Sequence, residues 1–83
     1  MQVLYFAWVR QRIGTGSERV EPPAEVTDVA GLVRWLSDRS PGHASAFAEA
    51  GQIRAAVNQA FCTPDHPVKP GDEVAFFPPV TGG

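Results

Sequence analysis

The sequence predicts an α+β fold in which a mixed sheet of about five strands carries one main helix on one face. Two observations support this fold class. Strand-like runs rich in β-branched and aromatic residues lie near both ends of the chain, and a single strong amphipathic helical pattern lies between them. Because one helix separates the first and last strands, we expect them to lie side by side in the middle of the sheet, joined by a right-handed crossover.

The first strand is predicted over residues 2–10, which are apolar on both alternating faces as in a central strand. One set is the less interrupted and is expected to point into the core: Val3, Tyr5, Ala7 and Val9. The other set is expected to point outward: Gln2, Leu4, Phe6, Trp8 and Arg10. Gly14-Thr15-Gly16 then predicts a hairpin turn into a short edge strand over residues 17–21, which Pro22-Pro23 ends because neither proline can donate to a ladder.

The main helix is predicted over residues 28–39, with Thr27 as its N-cap and Pro41-Gly42 ending it. Its apolar positions recur at the i, i+3, i+4, i+7 spacing of a one-sided helix: Val29, Leu32, Val33 and Leu36. A short helical turn is expected over residues 45–50. Only one face of the sheet can therefore be covered by the main helix.

Three more strands follow the helical region. They are predicted over residues 53–57, 60–62 and 73–77, the first two separated by an Asn58-Gln59 turn. The order and pairing of these elements define a β-grasp arrangement. We therefore predict a β-grasp domain over residues 1–77 and an extended, flexible tail over residues 78–83.

Composition excludes several classes of protein. At 83 residues the chain is one small domain, and its net charge of -2 offers no basic surface for nucleic acid. The single Cys62 rules out an internal disulfide framework. The apolar run from Val3 to Val9 is too short to cross a membrane and lacks the features of a signal peptide. We expect a cytoplasmic protein that binds neither nucleic acid nor membrane.

Conventional catalytic and metal-binding patterns are weak. His43 and His66 lie in predicted loops without ligands at zinc spacing, so both are interpreted as solvated surface side chains. Gly14-x-Gly16 lacks the following helix that a phosphate site needs. Cys62 lies in an apolar strand and is interpreted as a buried small hydrophobic residue. We expect no metal site and no permanently bound cofactor.

The sequence ends in Gly82-Gly83, a pair suited to presenting a carboxyl group deep in a narrow active site. Without a Cβ at either position, this segment can approach another protein's backbone closely. A carboxylate has no good leaving group, so it must first be activated. ATP can do this by forming an acyl-adenylate, from which sulfide can displace AMP to give a thiocarboxylate. The alternative interpretation is a frayed terminus of no consequence.

An exposed apolar patch is also predicted. In the last strand, Glu73, Ala75 and Phe77 share the face that the helix does not cover. Leu4, Phe6 and Phe61 are expected near Phe77 if the strands pair as proposed. Such a patch usually marks a binding surface, although it could instead fill a shallow second core.

These segments resemble the small, sulfur-carrying subunits of molybdopterin synthase. The resemblance covers essentially the whole chain and rests on three runs: residues 3–10, residues 55–59 (Ala-Ala-Val-Asn-Gln) and residues 71–83, which contain Phe77-Pro78-Pro79-Val80-Thr81-Gly82-Gly83. Trp35 and residues 41–50 follow no pattern of that family. The closing run distinguishes this family from other β-grasp carriers, which share only Gly-Gly.

The resemblance implies a cycle in which an E1-like adenylyltransferase uses ATP to adenylate the carboxyl of Gly83, and a sulfur donor protein converts it to a thiocarboxylate. The tail, comprising Pro78, Pro79, Val80, Thr81 and Gly82, would then deliver the sulfur into the large synthase subunit. Phe6, Phe61 and Phe77 match family positions that contact partners. The implied assembly is a heterotetramer of two small and two large subunits, in which this chain is not catalytic alone.

Three other functions remain open from the sequence. A thiamine-type sulfur carrier shares the fold and the Gly-Gly end, but is typically shorter and lacks the Phe-Phe-Pro-Pro run. A ubiquitin-like modifier uses the same activation chemistry and is joined to lysines of target proteins. A pure interaction module would bind partners without using Gly83 at all.

Overall fold

The computed structural model describes residues 1–79. Five strands form one mixed sheet, and three α-helices and one short 3₁₀ helix accompany it. In chain order the elements are β1 (Gln2–Tyr5), α1 (Ala7–Ile13), β2 (Ser17–Arg19), α2 (Val29–Ser37), α3 (Pro41–Phe47), the 3₁₀ helix (Ala50–Gln52), β3 (Arg54–Val57), β4 (Ala60–Cys62) and β5 (Glu73–Phe77). None of the helices in this part of the chain has the length and apolar character needed to span a bilayer.

The strand order is β2-β1-β5-β3-β4, so the first and last strands lie together in the middle of the sheet. β1 and β5 run parallel, with Val3 opposite Val74 and Tyr5 opposite Phe76. All other neighbouring pairs are antiparallel. The predicted central pairing and the predicted α+β fold class are confirmed.

The prediction of a strand over residues 2–10 is wrong beyond Tyr5. β1 ends there, Ala7 adopts a left-handed conformation with φ of 54°, and α1 begins. Val9 is fully buried as expected, but from a helix, and Ala7 is exposed. Gly14, with φ of 95°, ends α1, so the Gly14-Thr15-Gly16 turn joins a helix to β2 rather than closing a hairpin.

Helix boundaries also differ from the prediction. The N-cap of α2 is Asp28 rather than Thr27, and its carboxylate accepts a hydrogen bond from the backbone N–H of Gly31 at 2.7 Å. Pro41-Gly42 begins α3 instead of merely stopping α2, since proline is well tolerated in the first turn of a helix. The predicted main helix is present as α2, and within residues 1–79 two shorter helices that the sequence did not predict with these bounds, α1 and α3, accompany it.

The core lies between one face of the sheet and the helices. Tyr5, Phe47 and Phe76 form an aromatic cluster there, with ring centroids 5.1 to 6.5 Å apart. The largest fully buried side chains are Tyr5, Phe76, Leu32, Leu36, Val3, Val9 and Val74. The apolar positions predicted to face inward from α2, β1 and β5 thus supply half of the buried core residues in the described part of the chain.

Candidate functional site

The sheet face opposite the core carries the residues that the sequence predicted to be outward. In β5, Val74 and Phe76 are buried whereas Glu73, Ala75 and Phe77 are half-buried. The strand register places Leu4 of β1 and Ala56 of β3 on either side of Ala75. Phe61 of β4 lies opposite Ala56 on the same face. A row of apolar side chains therefore crosses this open face.

Three aromatic side chains, Phe6, Phe61 and Phe77, form what we call the aromatic patch. Phe61 is 83% exposed and Phe6 48% exposed, and these two are the large exposed hydrophobic side chains of residues 1–79. The rings of Phe61 and Phe77 lie 5.6 Å apart between centroids. The backbone of Phe6 remains extended, and its N–H donates to the carbonyl of Phe76 at 3.1 Å. Because side chains alternate along an extended chain, Phe6 lies on the same face of the sheet as Leu4.

The aromatic patch lies beside the point where the predicted tail begins, at the end of β5. Phe77 is the last residue of β5, and the half-buried Pro78 and Pro79 follow it directly. Since β1 runs parallel to β5, Phe6 reaches the same end of the sheet as Phe77. Val80, Thr81, Gly82 and Gly83 lie outside the described residues, so their predicted roles stay predictions.

His43 contradicts its interpretation as a solvated surface residue. It lies in α3, is 7% exposed, and its Nε2 is 2.6 Å from Oε2 of Glu18. Its Nδ1 is 2.7 Å from the hydroxyl of Ser40, the N-cap of the same helix. The sequence signal that could have revealed this helix is Ser40-Pro41, an N-cap followed by proline at the first helical position.

Glu18 lies at the centre of this buried polar cluster. The hydroxyl of Tyr5 donates to Oε2 of Glu18 at 2.6 Å, and the guanidinium of Arg39 lies 3.4 Å from Oε1. Burial works to raise the pKa of Glu18, but the hydrogen bonds from Tyr5 and His43 outweigh it, so the pKa is lowered. Burial, together with the bond to Glu18, raises the pKa of Tyr5. The cluster ties β1, β2 and α3 together on the helix side, away from the aromatic patch.

The other candidate side chains show no catalytic arrangement. Cys62 is half-buried beside an apolar groove of about 570 Å³ between α2 and β3, and burial raises the pKa of its thiol, which disfavours the nucleophilic thiolate. His66 is exposed, as predicted. Across residues 1–79, no three His, Cys, Asp or Glu side chains converge to hold a metal ion.

Central parallel strands, a helix-covered face and an open face beside the end of β5 define a β-grasp protein. Comparison with known proteins narrows this class. The chain belongs to the ThiS family, whose family model matches residues 3–83.

Two similar proteins are both described as subunits of a molybdopterin synthase or converting factor. The chain is 46% identical to the molybdopterin synthase sulfur carrier subunit of Escherichia coli (strain K12) over 83 residues, or 100% of this chain and 99% of that protein. A structure from Pyrococcus furiosus, described as molybdopterin converting factor subunit 1, superposes with a TM-score of 0.77 at 33% identity and covers 95% of each chain.

A third relative was determined as a complex. It is the complex of subunits 1 and 2 of molybdopterin-converting factor from Helicobacter pylori 26695, which contains a chain that matches with a TM-score of 0.64. The match covers 99% of this chain and 96% of that one, and its 21% identity supports the shared fold alone.

Proposed function

We propose that this chain is the sulfur-carrier subunit of a molybdopterin synthase. In this proposal the carboxyl group of Gly83 carries sulfur as a thiocarboxylate and donates it to cyclic pyranopterin monophosphate. The observation that carries the proposal is the full-length similarity to a molybdopterin synthase sulfur carrier. The aromatic patch supports it, because the patch offers a docking surface at the place where the tail leaves the sheet.

The chemistry assigned to this chain is that of a carrier. Adenylation joins the carboxylate of Gly83 to AMP and releases pyrophosphate. Sulfide then attacks the carbonyl carbon, a C–S bond forms as the C–O bond to AMP breaks, and AMP leaves behind a thiocarboxylate. Two such deliveries supply both sulfur atoms of the molybdopterin dithiolene. An E1-like enzyme consumes the ATP, a separate protein supplies the sulfur, and the large subunit provides the catalytic residues, so this chain is not catalytic alone.

The number of residues that follow Pro79 suits delivery into another protein. Fully extended, the four residues after Pro79 span at most about 14 Å, so the carboxyl could reach a recessed site while the sheet stays outside it. The aromatic patch would cover the rim of that site. A heterotetramer with two large subunits, and a cytoplasmic location, complete the proposal.

The direct test is deletion of Gly83. We expect the deletion variant to lose sulfur transfer while its melting temperature and its affinity for the large subunit stay close to those of the wild type, because residues 1–79 already contain the described core. Intact-mass analysis of wild-type protein from cells that can load it should show one oxygen replaced by sulfur on the C-terminal peptide. Normal molybdopterin formation by the deletion variant would refute the proposal.

Two genetic readouts separate the remaining alternatives. Restored molybdoenzyme activity in a strain lacking its small subunit would support the molybdopterin carrier, whereas restored thiamine synthesis in a strain lacking its thiamine carrier would support the thiamine-type carrier. Conjugates joined to lysines of cellular proteins would instead support a ubiquitin-like modifier.

A further inference from the structure

The side chain of Asn58 links the turn between β3 and β4 to the start of β5. Asn58 and Gln59 form the two-residue connection between β3 and β4, with φ of 50° and 71°, a conformation that asparagine and glycine tolerate well. The Asn58 amide also reaches β5. Its Nδ2 donates to Oδ1 of Asp72 at 3.0 Å, and its Oδ1 accepts from the backbone N–H of Glu73 at 3.0 Å.

Asp72 is the buried partner in this arrangement. It is 4% exposed, and its carboxylate also accepts hydrogen bonds from the backbone N–H of Lys69 at 2.9 Å and from the Lys69 ammonium at 3.1 Å. The hydrogen bond from Asn58 is the main cause that lowers the pKa of Asp72. The backbone adds two more links, from Asn58 N–H to the Glu73 carbonyl at 2.7 Å and from Gln2 N–H to the Asp72 carbonyl at 3.0 Å. The turn is thereby fixed to the start of β5 and to β1.

This connection bears on the most exposed aromatic residue of the molecule. β4 is a three-residue edge strand whose only strand partner in the described sheet is β3. Short edge strands fray easily, since few hydrogen bonds hold them. Phe61 is the middle residue of β4 and faces Phe77 across the open sheet face. Anything that holds the β3–β4 hairpin against β5 therefore also holds Phe61 beside Phe77.

We propose that Asn58 and Asp72 are positioning residues for sulfur transfer: by fixing the β3–β4 hairpin against β5, this pair, the Asn58–Asp72 clamp, orders the aromatic patch before a partner docks. The inference rests on the proposed function, since it assigns the patch to docking on the large subunit. An ordered patch loses less conformational entropy on association, so its complex is tighter than that of a loose hairpin with the same contacts.

The test removes the clamp without altering the turn. Asn58→Gly keeps a residue that accepts positive φ and removes the side chain that makes both bonds, Cβ included. Gln59→Gly frees the backbone in the same way at the neighbouring turn residue, whose side chain has no hydrogen-bond partner among residues 1–79. The double variant Asn58→Asp/Asp72→Asn reverses donor and acceptor and should restore the bond. Hydrogen exchange in residues 60–62, and the Kd for the large subunit, are measured well below the melting temperature.

We expect Asn58→Gly to speed exchange in β4 and to raise the Kd roughly two- to tenfold, with Gln59→Gly close to wild type and the reversed pair recovering most of the affinity. Unchanged exchange and Kd in Asn58→Gly would overturn the clamp, as would a reversed pair that restores the melting temperature but not the affinity.

Phe61→Ala separates this inference from the proposed docking surface. If Phe61→Ala weakens binding and Asn58→Gly does not, only the clamp is refuted. If Phe61→Ala also leaves the Kd unchanged, the patch is not the docking surface and both ideas fail.

Discussion

Glu18 shows how a single side chain can join elements that are distant in sequence. Its carboxylate accepts from Tyr5 in β1 and contacts His43 in α3, although Glu18 itself lies in an edge strand with a side chain 17% exposed. Hydrogen bonds to a charged acceptor are among the stronger ones in proteins, and a buried partner left unsatisfied is costly. Much of the attachment of β2 to the helix layer therefore depends on one ionised group.

The lowered pKa of Glu18 predicts a specific pH dependence of stability. The unfolded chain binds this proton at the ordinary value of 4.5 and the folded chain at a lower one, so the contribution is present above pH 4.5 and is lost as the pH falls through the folded pKa. At pH 7 we expect Glu18→Gln to lower the free energy of unfolding by about 1–3 kcal/mol. Urea unfolding across the acid range should show the difference from wild type narrowing as the pH falls.

The matched control is Glu21→Gln, which alters an exposed glutamate in the same region of the chain. We expect it to change the free energy of unfolding by no more than about 0.5 kcal/mol at any pH. A constant difference between wild type and Glu18→Gln from neutral to acid pH would contradict the role assigned to the ionised carboxylate.

The burial of a side chain could be predicted where it follows from the alternation of side chains along a strand. It could not be predicted where it depends on contacts with residues far away in the sequence. Phe76 and Phe77 are assigned to opposite faces by strand alternation alone, and the structure buries the first and leaves the second half-buried. His43 could not be placed in this way, because its burial depends on Glu18, which lies 25 positions earlier in the chain.

Among the elements, α1 and α3 pack closely because Gly42 has no side chain. A Cβ at Gly42 would lie 2.5 Å from the backbone carbonyl oxygen of Arg12 and 3.2 Å from that of Ile13. Backbone atoms cannot rotate away as a flexible side chain can, so the helices would have to move apart. The contact explains why a glycine is compatible with the first turn of α3 despite its low helix propensity.

We expect Gly42→Ala to destabilise the fold by about 1–3 kcal/mol, because the added methyl overpacks this contact, even though alanine is the better helix former. Thermal or urea unfolding measures the effect. Gly51→Ala is the control, since a Cβ at Gly51 meets no atom within 4 Å in the part of the chain that the structure describes. Equal stability of the two variants would refute the close packing of α1 on α3.

The misassigned first segment illustrates why element type can escape sequence reasoning. Val3, Tyr5 and Val9 fit both an alternating strand and a strand followed by a helix, and all three are buried. The change of structure depends on Ala7, a residue with no intrinsic preference for positive φ. Tertiary packing of α1 against α3 and the core decides that residues 7–13 form a helix rather than a continued strand. The spacing of apolar residues in the sequence does not indicate this packing.

At the scale of the whole molecule, the two faces of the sheet differ in what covers them. One face packs against the helices and contains the buried aromatic cluster, while the other presents the aromatic patch. This arrangement was predictable from order and parity: a single crossover between the first and last strands places them centrally, and alternation then assigns the faces. The additional helices on the core side were not predictable from the same reasoning.

The two faces predict opposite behaviour for adjacent phenylalanines. Phe76→Ala should cost about 3–5 kcal/mol of stability, because it empties a site that is 1% exposed. Phe77→Ala should cost about 1 kcal/mol or less but raise the Kd for the large subunit about tenfold or more, as expected of an aromatic residue central to an interface. Urea unfolding and a binding titration on the same samples measure both quantities. Equal losses of melting temperature in the two variants would count against the division between faces.

The central position of β5 also has a mechanical consequence. Because β5 hydrogen-bonds to β1 on one side and to β3 on the other, a pull on the chain beyond Pro79 loads two ladders at once and along their length. In this shear geometry the bonds share the force, whereas at an edge they would open one after another. The two ladders of β5 should therefore resist tension on the following segment, so that a partner protein can bind and release that segment while the domain stays folded.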